Sequence, residues 1–139
     1  MPRSVQSKPT TVLIVEDEAI VRLELTTQLN EMGYIALAAG DADQAIALLD
    51  RHPEISILVT DIRMPGSMDG LRLAHHVRHR WPPIRIIVVS GLLDTELSQL
   101  PVDSIFLSKP NAPEDLAQAL LYMTGGANPH AGGARTLRA

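Results

Sequence analysis

The sequence predicts a doubly wound α/β domain, because five short apolar runs alternate with segments of helical periodicity and four of the five runs end on reactive polar side chains. Each right-handed crossover returns the chain in the same direction, so the strands form one parallel sheet with helices on both faces. In such sheets a site forms beyond the carboxyl ends of the strands, where the winding reverses. The 139 residues are enough for one core and too few for a second domain of ordinary size.

The first strand is Thr11 to Val15, β-branched and apolar, followed at once by Glu16, Asp17 and Glu18. From Ala19, the residues Val21, Leu25, Leu29 and Met32 recur at helical spacing, and Gly33 supplies a stop. Tyr34 to Ala38 forms the second strand, and Asp41 with Gln44 has the spacing of a capping box ahead of the second helix. Ile55 to Thr60 is the third strand and leads into Asp61, after which Arg63 to Asp69 has the Pro and Gly of a loop. A third helix spans Leu71 to Arg80. The run Arg85 to Val89 is nearly all Ile and Val, as a strand covered on both faces requires, and it stops at Ser90 and Gly91. Leu93 to Leu100 makes a weak fourth helix, Ser104 to Leu107 a fifth strand leading into Ser108, Lys109 and Pro110, and Ala112 to Met123 the last helix. The domain thus covers residues 10–124. Residues 1–9 and 125–139 read as flexible tails, with no output domain after the last helix.

Composition removes several functions. Hydrophobic residues make up 45% and charged residues 20%, the balance of a soluble globular protein. The formal charge is -4 and the twelve Lys and Arg are scattered, which argues against nucleic acid as a partner. The absence of cysteine excludes disulfides, thiolate metal sites and thiol nucleophiles. No apolar run is long enough to span a bilayer and the N-terminus lacks a signal-peptide core, so a cytoplasmic location is expected.

The strand ends gather Glu16, Asp17, Asp61, Ser90 and Lys109 on one edge of the sheet. Three carboxylates so close repel one another and ask for a hard cation. Mg2+ suits oxygen ligands and keeps several waters. A carboxylate can also be the nucleophile in phosphoryl transfer, provided charge on the equatorial oxygens is neutralised. Asp61 would attack phosphorus, Glu16 and Asp17 hold the metal, Lys109 act as a point charge, and the Ser90 hydroxyl bond a phosphoryl oxygen.

The acidic pair in V-E-D-E, the segment D-I-R-M-P-G-S-M-D-G, then V-V-S-G and S-K-P occur in the order found in bacterial response-regulator receiver domains, and the resemblance covers Thr11 to Met123. It implies a flavodoxin-like, receiver-type fold and a switch in two-component signalling, phosphorylated on Asp61 with Mg2+. The metal ligands would be Glu16, Asp17, Asp61 and the Arg63 backbone carbonyl; Lys109 and Ser90 would stabilise the phosphoryl group. Ser90 and Phe106 would be the switch pair, with Phe106 turning inward on phosphorylation, and the peptide before Pro110 would be cis. The donor would be a histidine kinase or histidine phosphotransfer protein and the target another protein, met through a face bearing Leu92, Leu93, Leu97 and Leu100. Homodimer formation is left open. Such a domain takes part in its own phosphorylation and dephosphorylation and is not otherwise an enzyme.

The chain also departs from the family pattern. Glu16 stands where Asp is commoner, and its extra methylene can move a metal by ~1 Å. The loop M-P-G-S-M-D-G is one residue longer than usual, Phe106 lacks the hydroxyl of the frequent Tyr, and Asn111 replaces an apolar residue. Two other readings compete. A receiver-like docking module that is never phosphorylated would not label with acetyl phosphate, and intact Asp61 and Lys109 speak against it. A small Mg2+-dependent phosphohydrolase would want a general acid two residues after the nucleophile, where Arg63 stands.

Taken singly, Asp17 reads as a helix N-cap, Asp61 as a turn former and Lys109 as a solvated charge. Only their joint order favours chemistry. His75 and His79 have zinc-chelating spacing but no third ligand in sequence, so a solvated helix face is the better reading. Met64 and Met68 flank the acceptor loop and read as packing residues.

Overall fold

The computed structural model describes residues 9–63, 66, 68–91, 99–109, 113–124 and 135–136. The elements run β1 (Thr11–Val15), α1 (Ala19–Glu31), β2 (Ile35–Ala39), α2 (Ala42–Arg51), β3 (Ile55–Asp61), α3 (Gly70–Arg80), β4 (Arg85–Gly91), β5 (Ile105–Lys109), α4 (Pro113–Met123) and β6 (Arg135–Thr136). The sheet order is β2-β1-β3-β4-β5-β6. The first five strands pair in parallel, as the alternation of strand and helix predicts. The winding reverses between β1 and β3, so the crevice at their carboxyl ends is where a site is expected.

Alternation along the strands builds two cores. On one face Leu13, Val15, Leu58, Ile86 and Val88 pack with Leu49, Leu73 and Val77 of α2 and α3. On the other Val12, Ile14, Ile57, Val59 and Ile87 meet Leu29 of α1 and Leu116, Ala119 and Leu120 of α4. Successive strand side chains point to opposite faces, so a strand covered on both sides must be apolar at every position. β1 is accordingly buried along its whole length.

Turn chemistry fixes the ends of the elements. Gly33 has φ +97° and closes α1, with its N–H donating to Asn30 O at 3.1 Å and the Tyr34 N–H donating to Leu29 O at 3.0 Å. Those two bonds satisfy the last carbonyls of the helix, and the left-handed φ is the reason for glycine there. Asp41 caps α2 by accepting from the Gln44 N–H at 2.9 Å. The Gln44 side chain completes the turn one residue earlier than a capping box would, accepting from the Gly40 N–H at 2.9 Å. Asp41→Ala should therefore cost about 1 kcal/mol in urea unfolding with an unchanged m-value. A change under a few tenths would show that the cap contributes nothing.

Several expectations change. β4 and β5 extend to Gly91 and Lys109, so Ser90 and Lys109 sit within strands instead of following them. The sequence predicts a flexible tail over residues 125–139, whereas Arg135 and Thr136 pair antiparallel with Phe106 and Ile105 at the sheet edge. Two residues are too short to give a periodic signal. Most of the expected fourth helix, together with Leu92, Leu93 and Leu97, lies outside the described residues, as do Met64, Pro110, Asn111, residues 1–8 and the rest of the C-terminal segment. Leu100 is expected on an exposed docking face, but it is 6% exposed and belongs to the core beside Phe106 and Ile86. Among the described residues, no helix is long and apolar enough to cross a membrane.

Candidate functional site

β1 and β3 are neighbours in the sheet, and their carboxyl ends deliver Glu16, Asp17 and Asp61 to one place. One carboxylate oxygen from each of the three lies within 4.8 Å of the others. Glu16 and Asp61 are buried, at 3% and 9% exposure, while Asp17 is exposed. The mouth is thus open on the Asp17 side. Beneath the acids a cavity of about 390 Å³ is walled by Val21, Leu25, Val59, Val89 and Leu116 and has Glu16 and Asp61 at its edge.

Backbone donors orient the carboxylates. The Glu18 N–H donates to Glu16 Oε2 at 3.0 Å, so the longer Glu16 side chain folds back onto the first turn of α1. That contact places a carboxylate at a helix N-terminus, where the peptide dipoles favour negative charge. Asp17 is not the N-cap of α1; Glu18 holds that position and makes no capping bond through its side chain. At the other acid, the Arg63 N–H donates to Asp61 Oδ1 at 3.2 Å. The backbone after Asp61 is held in turn, with the Ile62 N–H donating to Val89 O at 3.3 Å and the Gly70 N–H to Ile62 O at 2.7 Å.

Gly70 is a site residue that sequence reasoning misses, since it reads only as the end of a loop. A Cβ built on it would stand 1.6 Å from the carbonyl oxygen of Asp61. The start of α3 is therefore pressed directly onto the backbone of Asp61, and only a residue without a side chain permits it. The sequence signal is the D-G pair at the helix start, since Asp69 caps α3 by accepting from the Arg72 N–H at 2.9 Å. What the sequence does not show is the partner, nine positions away in the chain.

Most of the remaining expected residues lie on β4, β5 and α3. Ser90 is 1% exposed and lies on β4, next to the Val89 that pairs with Asp61. Lys109 ends β5 opposite Gly91, which puts it at the same end of the sheet; its side chain is outside the described set. Phe106 is 6% exposed and packed in the α2–α3 core, so its ring points inward in this structure. A phenyl ring has no hydroxyl to leave without a partner, and full burial suits it better than it would Tyr. His75 Nε2 meets the Gln99 carbonyl, and among the described residues no group of three ligating side chains includes His75 or His79. Among the described residues, the acidic trio is the one group of three potential metal-ligating side chains. Met68 packs against the core, as expected of it.

The trio fits a hard divalent cation. All its donors are oxygens, and two ligands of one Mg2+ stand at most about 4.2 Å apart in an octahedron, so the three need only small closure or bridging waters. The acids would hold the ion, and the ion would supply charge neutralisation beside Asp61.

Comparison with known proteins shows the family and agrees with the fold. The model of the response regulator receiver domain family matches residues 12–121. The hydrogenase transcriptional regulatory protein HoxA of Cupriavidus necator is 43% identical over 89 residues, which is 64% of this chain and 18% of that protein. The sensor kinase CckA of Brucella abortus is 35% identical over 117 residues, 81% of this chain and 12% of that protein. The chain thus spans less than a fifth of the length of either relative. A crystal structure of a response regulator receiver protein from Pseudomonas putida superposes with a TM-score of 0.72 at 32% identity, covering 84% of this chain and 98% of that one.

Proposed function

The chain belongs to the response regulator receiver domain family, and on that premise we propose that Asp61 accepts a phosphoryl group, with Mg2+, from a phosphohistidine donor. Receiver domains are signalling modules of two-component systems. The observation that carries the reading is the convergence of Glu16, Asp17 and Asp61 within 4.8 Å at the strand ends. In the transfer a carboxylate oxygen of Asp61 forms the new P–O bond while the P–N bond to the donor imidazole breaks, and the imidazole nitrogen keeps the electron pair and takes a proton. The Arg63 N–H orients the attacking carboxylate, and the Arg63 carbonyl is proposed as a further metal ligand. Lys109 and the Ser90 hydroxyl then stabilise the phosphoryl oxygens by charge and by hydrogen bond.

The readout is a population shift. Drawing Ser90 toward the phosphoryl group vacates space on the β4 side of β5 and favours the inward Phe106 seen here over outward positions. Phosphorylation would then stabilise this arrangement and the surface that goes with it. A histidine kinase or phosphotransfer protein supplies the phosphoryl group, and a downstream protein reads the surface.

Intact-protein mass after incubation with acetyl phosphate and Mg2+ tests the acceptor. The wild type should gain about 80 Da, the mass of HPO3 added to a side chain. Asp61→Asn and a chelator-treated control should gain nothing. An adduct that persists in Asp61→Asn would refute the assignment, and no adduct from acetyl phosphate or a cognate kinase would favour a module that docks without phosphorylation.

A further inference from the structure

The loop that carries the acidic pair is held by a side chain with no part in the chemistry above. Arg22, one turn into α1, points its guanidinium back past the helix start. Its Nη1 donates to the Glu16 carbonyl at 2.8 Å and to the Asp17 carbonyl at 3.5 Å, the second at the limit of hydrogen bonding. From the other side the Glu16 N–H donates to Ala39 O at 3.0 Å. The two residues bearing the metal-binding carboxylates are thus clamped between α1 and the end of β2.

A second observation points the same way. A Cβ built on Gly40 would stand 3.2 Å from Arg22 Nη1 and 3.5 Å from Gln44 Oε1. The backbone at Gly40 does not need a left-handed φ, so the effect of a side chain there falls on the guanidinium, which would have to shift by a few tenths of an ångström. The guanidinium thus lies directly against Gly40. Both carbonyl contacts come from the one terminal nitrogen, held at the end of a planar group that stays charged at every relevant pH.

We propose that Arg22, seated against Gly40, is a positioning residue that fixes the Glu16–Asp17 loop in its metal-binding geometry. The inference rests on the proposed Mg2+ site and concerns residues outside its ligand set. A few tenths of an ångström of loop drift is enough to spoil octahedral oxygen geometry, which is why such supports matter.

Mg2+ titration of the full chain, read by calorimetry and by backbone amide shifts, tests it. Arg22→Met should weaken Mg2+ binding about tenfold, the scale of lost outer support at metal sites, and Arg22→Lys should recover part of the loss. Gly40→Ala should weaken binding by a smaller factor in the wild-type background and by none in the Arg22→Met background. Wild-type affinity in both Arg22→Met and Gly40→Ala overturns the proposal. If Arg22→Met does not fold, unchanged affinity in a folded Gly40→Ala overturns it alone. Absence of Mg2+ binding by the wild type would instead sink the proposed function. Amide shifts of Glu16 to Glu18 in metal-free Arg22→Met would then decide whether Arg22 positions the loop.

Discussion

Gly70→Ala should destabilise the protein by about 3 kcal/mol or more, although the same change inside an ordinary helix stabilises by about 1 kcal/mol. The sign is reversed by one contact. A methyl group at Gly70 would meet the Asp61 carbonyl oxygen at 1.6 Å, and the next nearest atoms, at 2.6 and 2.9 Å, are also backbone. No side-chain rotamer can relieve the clash, so either the start of α3 retreats or the end of β3 moves. Both routes strain the Gly70 N–H to Ile62 O bond, which is 2.7 Å long. The movement falls on Asp61 itself, so phosphoryl adduct formation should drop even in the fraction that stays folded. Urea unfolding followed by circular dichroism measures the first effect, and adduct yield per folded molecule the second. A Gly70→Ala variant as stable as the wild type would mean that α3 does not press on Asp61.

This contact also marks the boundary of what the sequence discloses. The acidic residues at the ends of β1 and β3 are legible because each lies at the close of a β-branched apolar run, a local pattern. Their convergence follows from parallel winding alone. The Gly70 and Arg22 contacts are not legible, since nothing local says which backbone a glycine must admit or which carbonyl a helix arginine will reach. The burial of Leu100 and Phe106 escapes the sequence for a related reason. A leucine beyond a weak helix and a phenylalanine in a five-residue strand carry no periodicity that says which side they face. α1 shows the same limit in reverse: Val21 and Leu25 turn partly inward as spacing suggests, yet Ile20 and Leu23 remain 74% and 66% exposed. With apolar residues on every side of the helix, spacing alone does not choose the inner face.

Asp17→Asn should move metal-free stability and Mg2+ affinity in opposite directions. In the metal-free protein three carboxylates lie within 4.8 Å of one another, and neutralising one removes two repulsions. Each repulsion is worth roughly 1 kcal/mol under water-like screening. Asp17 is exposed, so solvent and salt trim the gain, and a rise in melting temperature of a few degrees is the expected size. The same substitution deletes an anionic ligand, and Mg2+ binding should weaken by at least about tenfold. Wild-type protein at a Mg2+ concentration about 100 times its dissociation constant gains about 2.7 kcal/mol from binding. The variant should lose a large part of that gain at the same concentration, so the two melting curves cross as Mg2+ is added. A residue that merely capped α1 would behave differently, because its loss would lower stability at every Mg2+ concentration and leave the affinity unchanged. Thermal melts across a Mg2+ series therefore separate a ligand from a cap by the sign of the metal-free change.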